Sequence, residues 1–112
     1  FGCGGQRDSG KRAAMGSAAA RIANHIVLTD DNPRDEDPGA IIADIRLGIA
    51  SHPDIWVEHD RARAISGAVG RARVGDIVLV AGKGHERTQW IASGEREFSD
   101  NAVVVQALEK RA

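Results

Sequence analysis

The sequence predicts an α/β fold in three layers around a mostly parallel sheet, closed at one edge by an antiparallel hairpin. Three observations predict it. Short aliphatic runs at His25–Leu28, Ile55–Glu58 and Asp76–Ala81 alternate with longer segments whose apolar residues recur at helical spacing. The runs at His25–Leu28 and Asp76–Ala81 flow directly into loops rich in Gly, Asn, Pro and charge. Near the end, two short runs flank Ser93-Gly94, the pattern of a hairpin rather than of a crossover.

Each element has its own local reason. Phe1-Gly2-Cys3-Gly4-Gly5 reads as the last residues of a strand entering a glycine turn. With no initiator Met, this start is the one expected of a fragment of a longer protein. Lys11 to Asn24 is Ala-rich and reads as a helix, with Met15, Ala18, Ala19 and Ile22 as its contact face. His25–Leu28 is the next strand. Asp37 then caps a helix with Pro38 at its first position, and Ile41, Ile45 and Ile49 recur four apart with Ile42 alongside. Pro53 breaks the chain before the strand Ile55–Glu58. Asp60 caps a helix running to about Arg73, with Ile65, Ala68, Val69 and Ala72 inward and Arg61, Arg63, Arg71 and Arg73 in solvent. Gly75 ends that segment, and Asp76–Ala81 is the strongest strand pattern in the chain. Thr88–Ala92 and Glu95–Phe98 form the hairpin, and Ser99-Asp100 caps a last helix carrying Val104, Ala107 and Leu108. Together these describe a Rossmann-like sheet, with the loops after Cys3, Leu28 and Ala81 expected to converge on one crevice.

Composition narrows the function. The chain has 112 residues, one domain by length, and its 42% apolar content is enough to bury a core. A net charge of −1 gives no basic face for a nucleic-acid partner. No apolar run approaches the roughly 18 residues of a membrane span, so no membrane partner is expected. A single cysteine, Cys3, cannot form an internal disulfide, which suits a reducing, cytoplasmic setting. Cys3 itself reads as a small buried hydrophobe, and Trp56 and Trp90 read as packing residues.

The loops carry the chemistry. Gly5-Gln6-Arg7-Asp8-Ser9-Gly10-Lys11-Arg12 has the glycine spacing and lysine of a phosphate-binding loop, but Arg12 stands where a hydroxyl must meet magnesium. Nucleotide hydrolysis is therefore not expected from this stretch. Arg7 can instead clamp a carboxylate by two parallel hydrogen bonds. In Asp31-Asn32-Pro33-Arg34, Pro33 stiffens the loop while Asn32 and Arg34 address a carboxylate, and Asp30 and Asp31 can hold an ammonium or orient the arginine. The bland alternative is a polar turn in which Arg34 pairs with Asp35, Glu36 or Asp37.

Gly82-Lys83-Gly84-His85-Glu86 offers a glycine carbonyl and the Glu86 carboxylate to an amine; its alternative is a solvated Lys-His-Glu trio. His85 has no Cys or second His at ligand spacing, so no metal site is expected. A diamino dicarboxylic acid would satisfy every group in these loops. No nucleophilic triad, acid–base carboxylate pair or metal triad accompanies them.

Those three motifs, Phe1-Gly2-Cys3-Gly4-Gly5-Gln6-Arg7-Asp8, Asp31-Asn32-Pro33-Arg34 and Gly82-Lys83-Gly84-His85-Glu86, resemble the carboxy-terminal domain of the Mur ligases, in the right order along nearly the whole chain. The resemblance implies that residues 1–112 are that domain of a three-domain, ATP-dependent ligase of peptidoglycan synthesis, and that the fragment alone is inactive. It implies that ATP and Mg2+ are held mainly by a central domain, and that the UDP-linked muramoyl dipeptide meets the other domains. ATP would phosphorylate the precursor carboxylate, and the incoming amine would attack the acyl phosphate.

Carried over by position, Arg7, Asn32 and Arg34 match carboxylate-binding residues, Gly82 and Glu86 match residues that hold the far amino group, and Asp31 adds a contact. Arg34 resembles the branch that adds meso-diaminopimelate, because its charge pairs the carboxylate that lysine lacks. Gln6 occupies an ATP-proximal position where the family commonly has Asp, and Ser9 and Ala13-Ala14 also depart from the family pattern. An L-lysine-adding ligase and a stand-alone small-molecule binding module are the two rival readings.

Overall fold

A computed structural model describes residues 1–49 and 51–111. A short 3-10 turn over Ser9–Lys11 leads into helix α1 (Arg12–Ile22), then strand β1 (Ile26–Leu28), α2 (Pro38–Arg46), β2 (Ile55–Val57), α3 (Arg61–Arg71), the hairpin β3 (Thr88–Ile91) and β4 (Gly94–Glu97), and α4 (Asp100–Arg111). The caps are those the sequence predicts. Asp37 Oδ1 accepts from the Gly39 N–H at 3.0 Å, Asp60 Oδ1 from the Arg63 N–H at 3.1 Å, and Ser99 Oγ from the Ala102 N–H at 3.2 Å.

Strands β1 and β2 pair in parallel, Ile26 with Ile55 and Leu28 with Val57, and Phe1 extends the sheet on the far side of β1 through its amino group on the Val27 carbonyl. Alternation then divides the faces. Ile26, Leu28, Ile55 and Val57 pack with Ile41, Ile42, Ile45 and Ile49 beneath α1 and α2. Trp56 points the other way, with its ring against Gly67 of α3. Ile65 and Val69 of α3 close a second, smaller cluster with Ala107 of α4 and with Val80. The class is α/β as expected, with helices on both faces. No helix among the described residues is long and apolar enough to cross a membrane.

Three local expectations fail. The sheet is narrower than the sequence predicts: residues 76–81 form no strand, and the backbone groups of Ile77–Val80 have no hydrogen-bond partner among the described residues. Ile77 and Leu79 are 93% and 84% exposed, while Val80 alone packs inward. High β-propensity supplies the capacity to pair; a ladder also needs a neighbouring strand.

The contact face of α1 is also different. Ala19 packs against the core as expected, but Ala18 and Ile22 face solvent, Met15 is half-exposed with its sulfur on the Cys3 thiol, and the buried positions are Arg12 and Gly16. A Cβ on Gly16 would lie 2.2 Å from the Ile45 carbonyl oxygen, and one on Gly48 would lie 1.8 Å from that of Ala13. The two helices therefore meet backbone to backbone, which only glycine permits. The third failure is Arg61, expected in solvent and found fully buried. Its guanidinium forms a two-pronged pair with Asp100 at 2.7 and 2.8 Å and also donates to the carbonyls of Asp30 and Ala81. One side chain thus joins the starts of α3 and α4 to the loops after β1 and after Ala81.

Candidate functional site

The three loops do converge. The glycine turn lies directly on the Asp31–Arg34 loop: the Gly5 N–H donates to the Asn32 carbonyl at 2.7 Å, a Cβ on Gly5 would fall 1.8 Å from the Pro33 oxygen, and one on Gly2 would fall 2.0 Å from the Thr29 oxygen. Side chains are excluded there by backbone approach, so these glycines are structural necessities.

Over this contact stand the two arginines. Arg34 Nη1 and Arg7 Cγ lie 3.2 and 3.4 Å from the point where Gly4 would carry a Cβ, so they flank one spot. Arg34 does not pair with Asp35, Glu36 or Asp37. Its Nη1 donates to the carbonyls of Gly5 (2.9 Å) and Asn32 (3.3 Å), and its backbone N–H donates to the Trp90 carbonyl at 3.1 Å. Those bonds aim the guanidinium from behind and leave its remaining donors for something else. Arg7, Arg34 and Gln6 line a common open cavity of about 470 Å³ with Asp35, Trp90 and the hairpin turn, while Asp31, Asn32, Gly82 and Glu86 do not line it. Gln6 and Arg34 are also the two non-glycine residues with left-handed backbone (φ 54° and 55°) among the described residues. Such conformations cost about 1 kcal/mol or more, and they collect at functional sites.

The second half of the site is built around Lys83. Its ammonium reaches Asn32 Oδ1 at 2.8 Å, Glu86 Oε1 at 3.3 Å and Asp31 Oδ1 at 3.4 Å. Asp31 Oδ2 lies 2.9 Å from where a Gly82 Cβ would be, and Gly82 holds φ at +113°, so that position accepts glycine on two counts. Glu86 is half-exposed and His85 exposed, but Lys83 is not the solvated residue of the bland alternative. Asp30, by contrast, turns away: its carboxylate accepts from His59 Nδ1 at 2.8 Å, and burial pushes its carboxyl above the ordinary range.

Arg12 explains the failed phosphate loop. Both its terminal nitrogens bond the Glu36 carboxylate, at 2.6 and 2.9 Å, with Asp44 and the Gly4 carbonyl as further acceptors. Arg12 hydrogen bonds first, and the Gln6 N–H second, hold the Glu36 carboxyl down at about 2. A buried guanidinium in place of a hydroxyl, already committed to two carboxylates, does not fit a phosphate and magnesium cradle. The Cys3 thiol is buried, which raises its pKa and makes it a poor nucleophile.

Sequence reasoning missed the hairpin's part. Buried Gln89 donates Nε2 to the Asp31 carbonyl at 2.8 Å while Arg96 holds its oxygen, and the Trp90 N–H donates to Asn32 Oδ1 at 2.9 Å. Strand β3 therefore runs along the Asp31–Arg34 loop and fixes it. The alternation of Gln89 and Trp90 in the hairpin was visible in the sequence, but not the loop it would face.

Chemically, the arrangement offers guanidinium and amide donors on one side and carboxylates on the other. The family described as "Mur ligase, glutamate ligase domain" matches residues 1–84. The UDP-N-acetylmuramoyl-L-alanyl-D-glutamate--2,6-diaminopimelate ligase of Alkalilimnicola ehrlichii is 60% identical over 108 residues, covering 96% of this chain and 22% of its own length. The protein of the same name from Streptomyces coelicolor is 54% identical over 115 residues, covering 98% of this chain and 23% of its own length. A solved structure of a ligase of that name superposes with a TM-score of 0.92 at 46% identity, over 99% of this chain and 23% of that one. The chain thus spans about a fifth of the length of the relatives it matches, and along that span it belongs to the Mur ligase family.

Proposed function

We propose that residues 1–112 are the carboxy-terminal, amino-acid-binding domain of a longer cytoplasmic ligase. That enzyme adds meso-diaminopimelate to UDP-N-acetylmuramoyl-L-alanyl-D-glutamate in peptidoglycan synthesis. The observation that carries the proposal is that Arg7 and Arg34 line one cavity beside a loop whose Asn32 and Asp31 are tied to Glu86 through Lys83. The names of the relatives supply the substrates.

Each residue has a role that follows from its chemistry. Arg7, Arg34 and the Asn32 amide bind carboxylate oxygens of the incoming amino acid. Glu86, the Gly82 carbonyl and Asp31 hold its distal ammonium. With both ends held, the remaining amine is presented to the activated acceptor, which converts a bimolecular encounter into an oriented one. ATP is the phosphoryl donor that activates the acceptor carboxylate; attack by the amine forms the amide and releases phosphate. Gln6, beside Asp35 at the rim, is the residue of this chain nearest in role to the nucleotide. The ATP phosphates and Mg2+ belong to another domain, since residues 5–12 do not fit them. The isolated domain is inactive on this reading.

The test is amino-acid-dependent phosphate release by the full-length enzyme, offered meso-diaminopimelate or L-lysine, with an Arg34→Ala variant alongside. Diaminopimelate is preferred, and the variant loses roughly 30- to 1000-fold in kcat/KM for it, the size of a lost charge-assisted pair. Turnover of lysine in preference would keep the ligase and overturn the specificity. Amino-acid-independent behaviour would favour a small-molecule binding module.

A further inference from the structure

Lys83 has no part in the roles just assigned, and its surroundings demand one. Its side chain is fully buried, a rare state for an ammonium unless every proton is paired. It has three protons and meets three acceptors, Asn32 Oδ1, Glu86 Oε1 and Asp31 Oδ1, all of them residues of the proposed amino-acid site. The Asn32 amide is fixed as a consequence. The atom facing Lys83 Nζ also accepts from the Trp90 backbone N–H at 2.9 Å. Both neighbours can only donate, so that atom must be the oxygen, and Nδ2 is left as the outward donor. The orientation follows from chemistry alone.

We propose that Lys83 is a positioning residue for amino-acid binding: it holds Asn32 with its Nδ2 toward the ligand's carboxylate and holds the Glu86 carboxylate in place for the ligand's ammonium. This rests on the reading of the site given above. Lys83 does not touch the amino acid; it acts through Asn32 and Glu86. It also offsets the combined negative charge of Asp31 and Glu86, so the cluster stays compact before any cation arrives.

The experiment uses the full-length ligase with Lys83→Met, Asn32→Ala and the double variant, and measures KM for meso-diaminopimelate, KM for ATP and kcat at saturating amino acid. Lys83→Met is expected to raise the amino-acid KM about tenfold or more, with ATP KM and saturated kcat within about twofold of wild type. The double variant is expected to fall well short of the product of the single effects, because part of the lysine's effect passes through Asn32 and the rest through Glu86. An unchanged amino-acid KM in Lys83→Met, or single effects that multiply in full, would overturn the proposal. Where Lys83→Met does not fold, Asn32→Asp decides against Asn32→Ala. With Lys83 present, the aspartate turns an oxygen toward the ligand carboxylate and raises KM above the alanine value; an equal or lower KM refutes the orientation. Wild-type enzyme without amino-acid-dependent release would sink the site reading itself, whereas a working wild type with an indifferent Lys83→Met sinks only the lysine's role.

Discussion

Leu28 and Leu79 sit in similar aliphatic runs, each followed within a few residues by a polar site loop, yet the first is fully buried and the second stands almost bare. Around Leu28 the chain is closed on both sides: Ile55–Val57 pairs with its strand, Phe1 extends the sheet, and α1 and α2 cover the face through glycine contacts. Around Leu79 the covering is one-sided. Val80 meets α3 and α4, and the outer face and the backbone groups have no partner among the described residues. The site hangs between these two regions, with Arg12 tying its glycine turn to α2 and Arg61 tying the loops after β1 and Ala81 to α3 and α4. A loop's position is thus set as much by buried ion pairs as by the strand that precedes it.

The largest expected effect breaks that tie. Asp100→Ala in the 112-residue chain leaves the Arg61 guanidinium buried without its carboxylate and should cost about 3–5 kcal/mol, read as the shift in urea unfolding free energy. Leu28→Ala should cost about 2–5 kcal/mol through the cavity it leaves, while Leu79→Ala should stay within about 0.5 kcal/mol. A loss of 2 kcal/mol or more at Leu79 would mean that the bare run has a buried partner and that the contrast is mistaken.

The glycines sharpen the same contrast at smaller scale. Gly16→Ala drives a Cβ into the Ile45 carbonyl and should destabilise by about 1–3 kcal/mol. Gly70→Ala in α3 meets nothing within 4 Å and should stabilise by about 0.5–1 kcal/mol through helix propensity. The mildest effect is on pH. Glu36 titrates at about 2 in the folded chain against an ordinary 4.5, so its contribution is present above pH 4.5 and is lost as pH falls toward 2. Glu36→Gln should flatten the decline in urea midpoint across that window and leave the behaviour above pH 6 without slope from this group.

What was legible in the sequence was local. The Asp37-Pro38 cap, the fourfold isoleucine repeat, the hairpin and the glycine turns announced themselves because their causes lie within a few residues of their effects. The convergence of the three loops was legible for the same reason, since Gly, Pro and Asn directly after aliphatic runs mark turns at one edge of the sheet. The buried cations were not. Arg12 finds Glu36 24 residues away, Arg61 finds Asp100 39 away, and Lys83 finds Asn32 51 away. No window of sequence contains both partners, and an arginine on a helix reads as a solvated one until its carboxylate is known. The face of α1 escaped for a related reason, since small residues carry little periodic signal and its real contact is made by a glycine. Asp76–Ala81 carries a strand pattern for which the described residues supply no neighbouring strand.

On the proposed function, Arg7, Asn32, Arg34, Gly82 and Glu86 act on one molecule. A crystal structure of the full-length ligase with meso-diaminopimelate tests it most directly. Ligand carboxylate oxygens are expected within hydrogen-bond distance of Arg34, Arg7 and Asn32 Nδ2, and the distal ammonium on Glu86 and the Gly82 carbonyl, with Lys83 still on Asn32 Oδ1. An amino acid bound elsewhere, or one whose ammonium end faces the arginines, would contradict it.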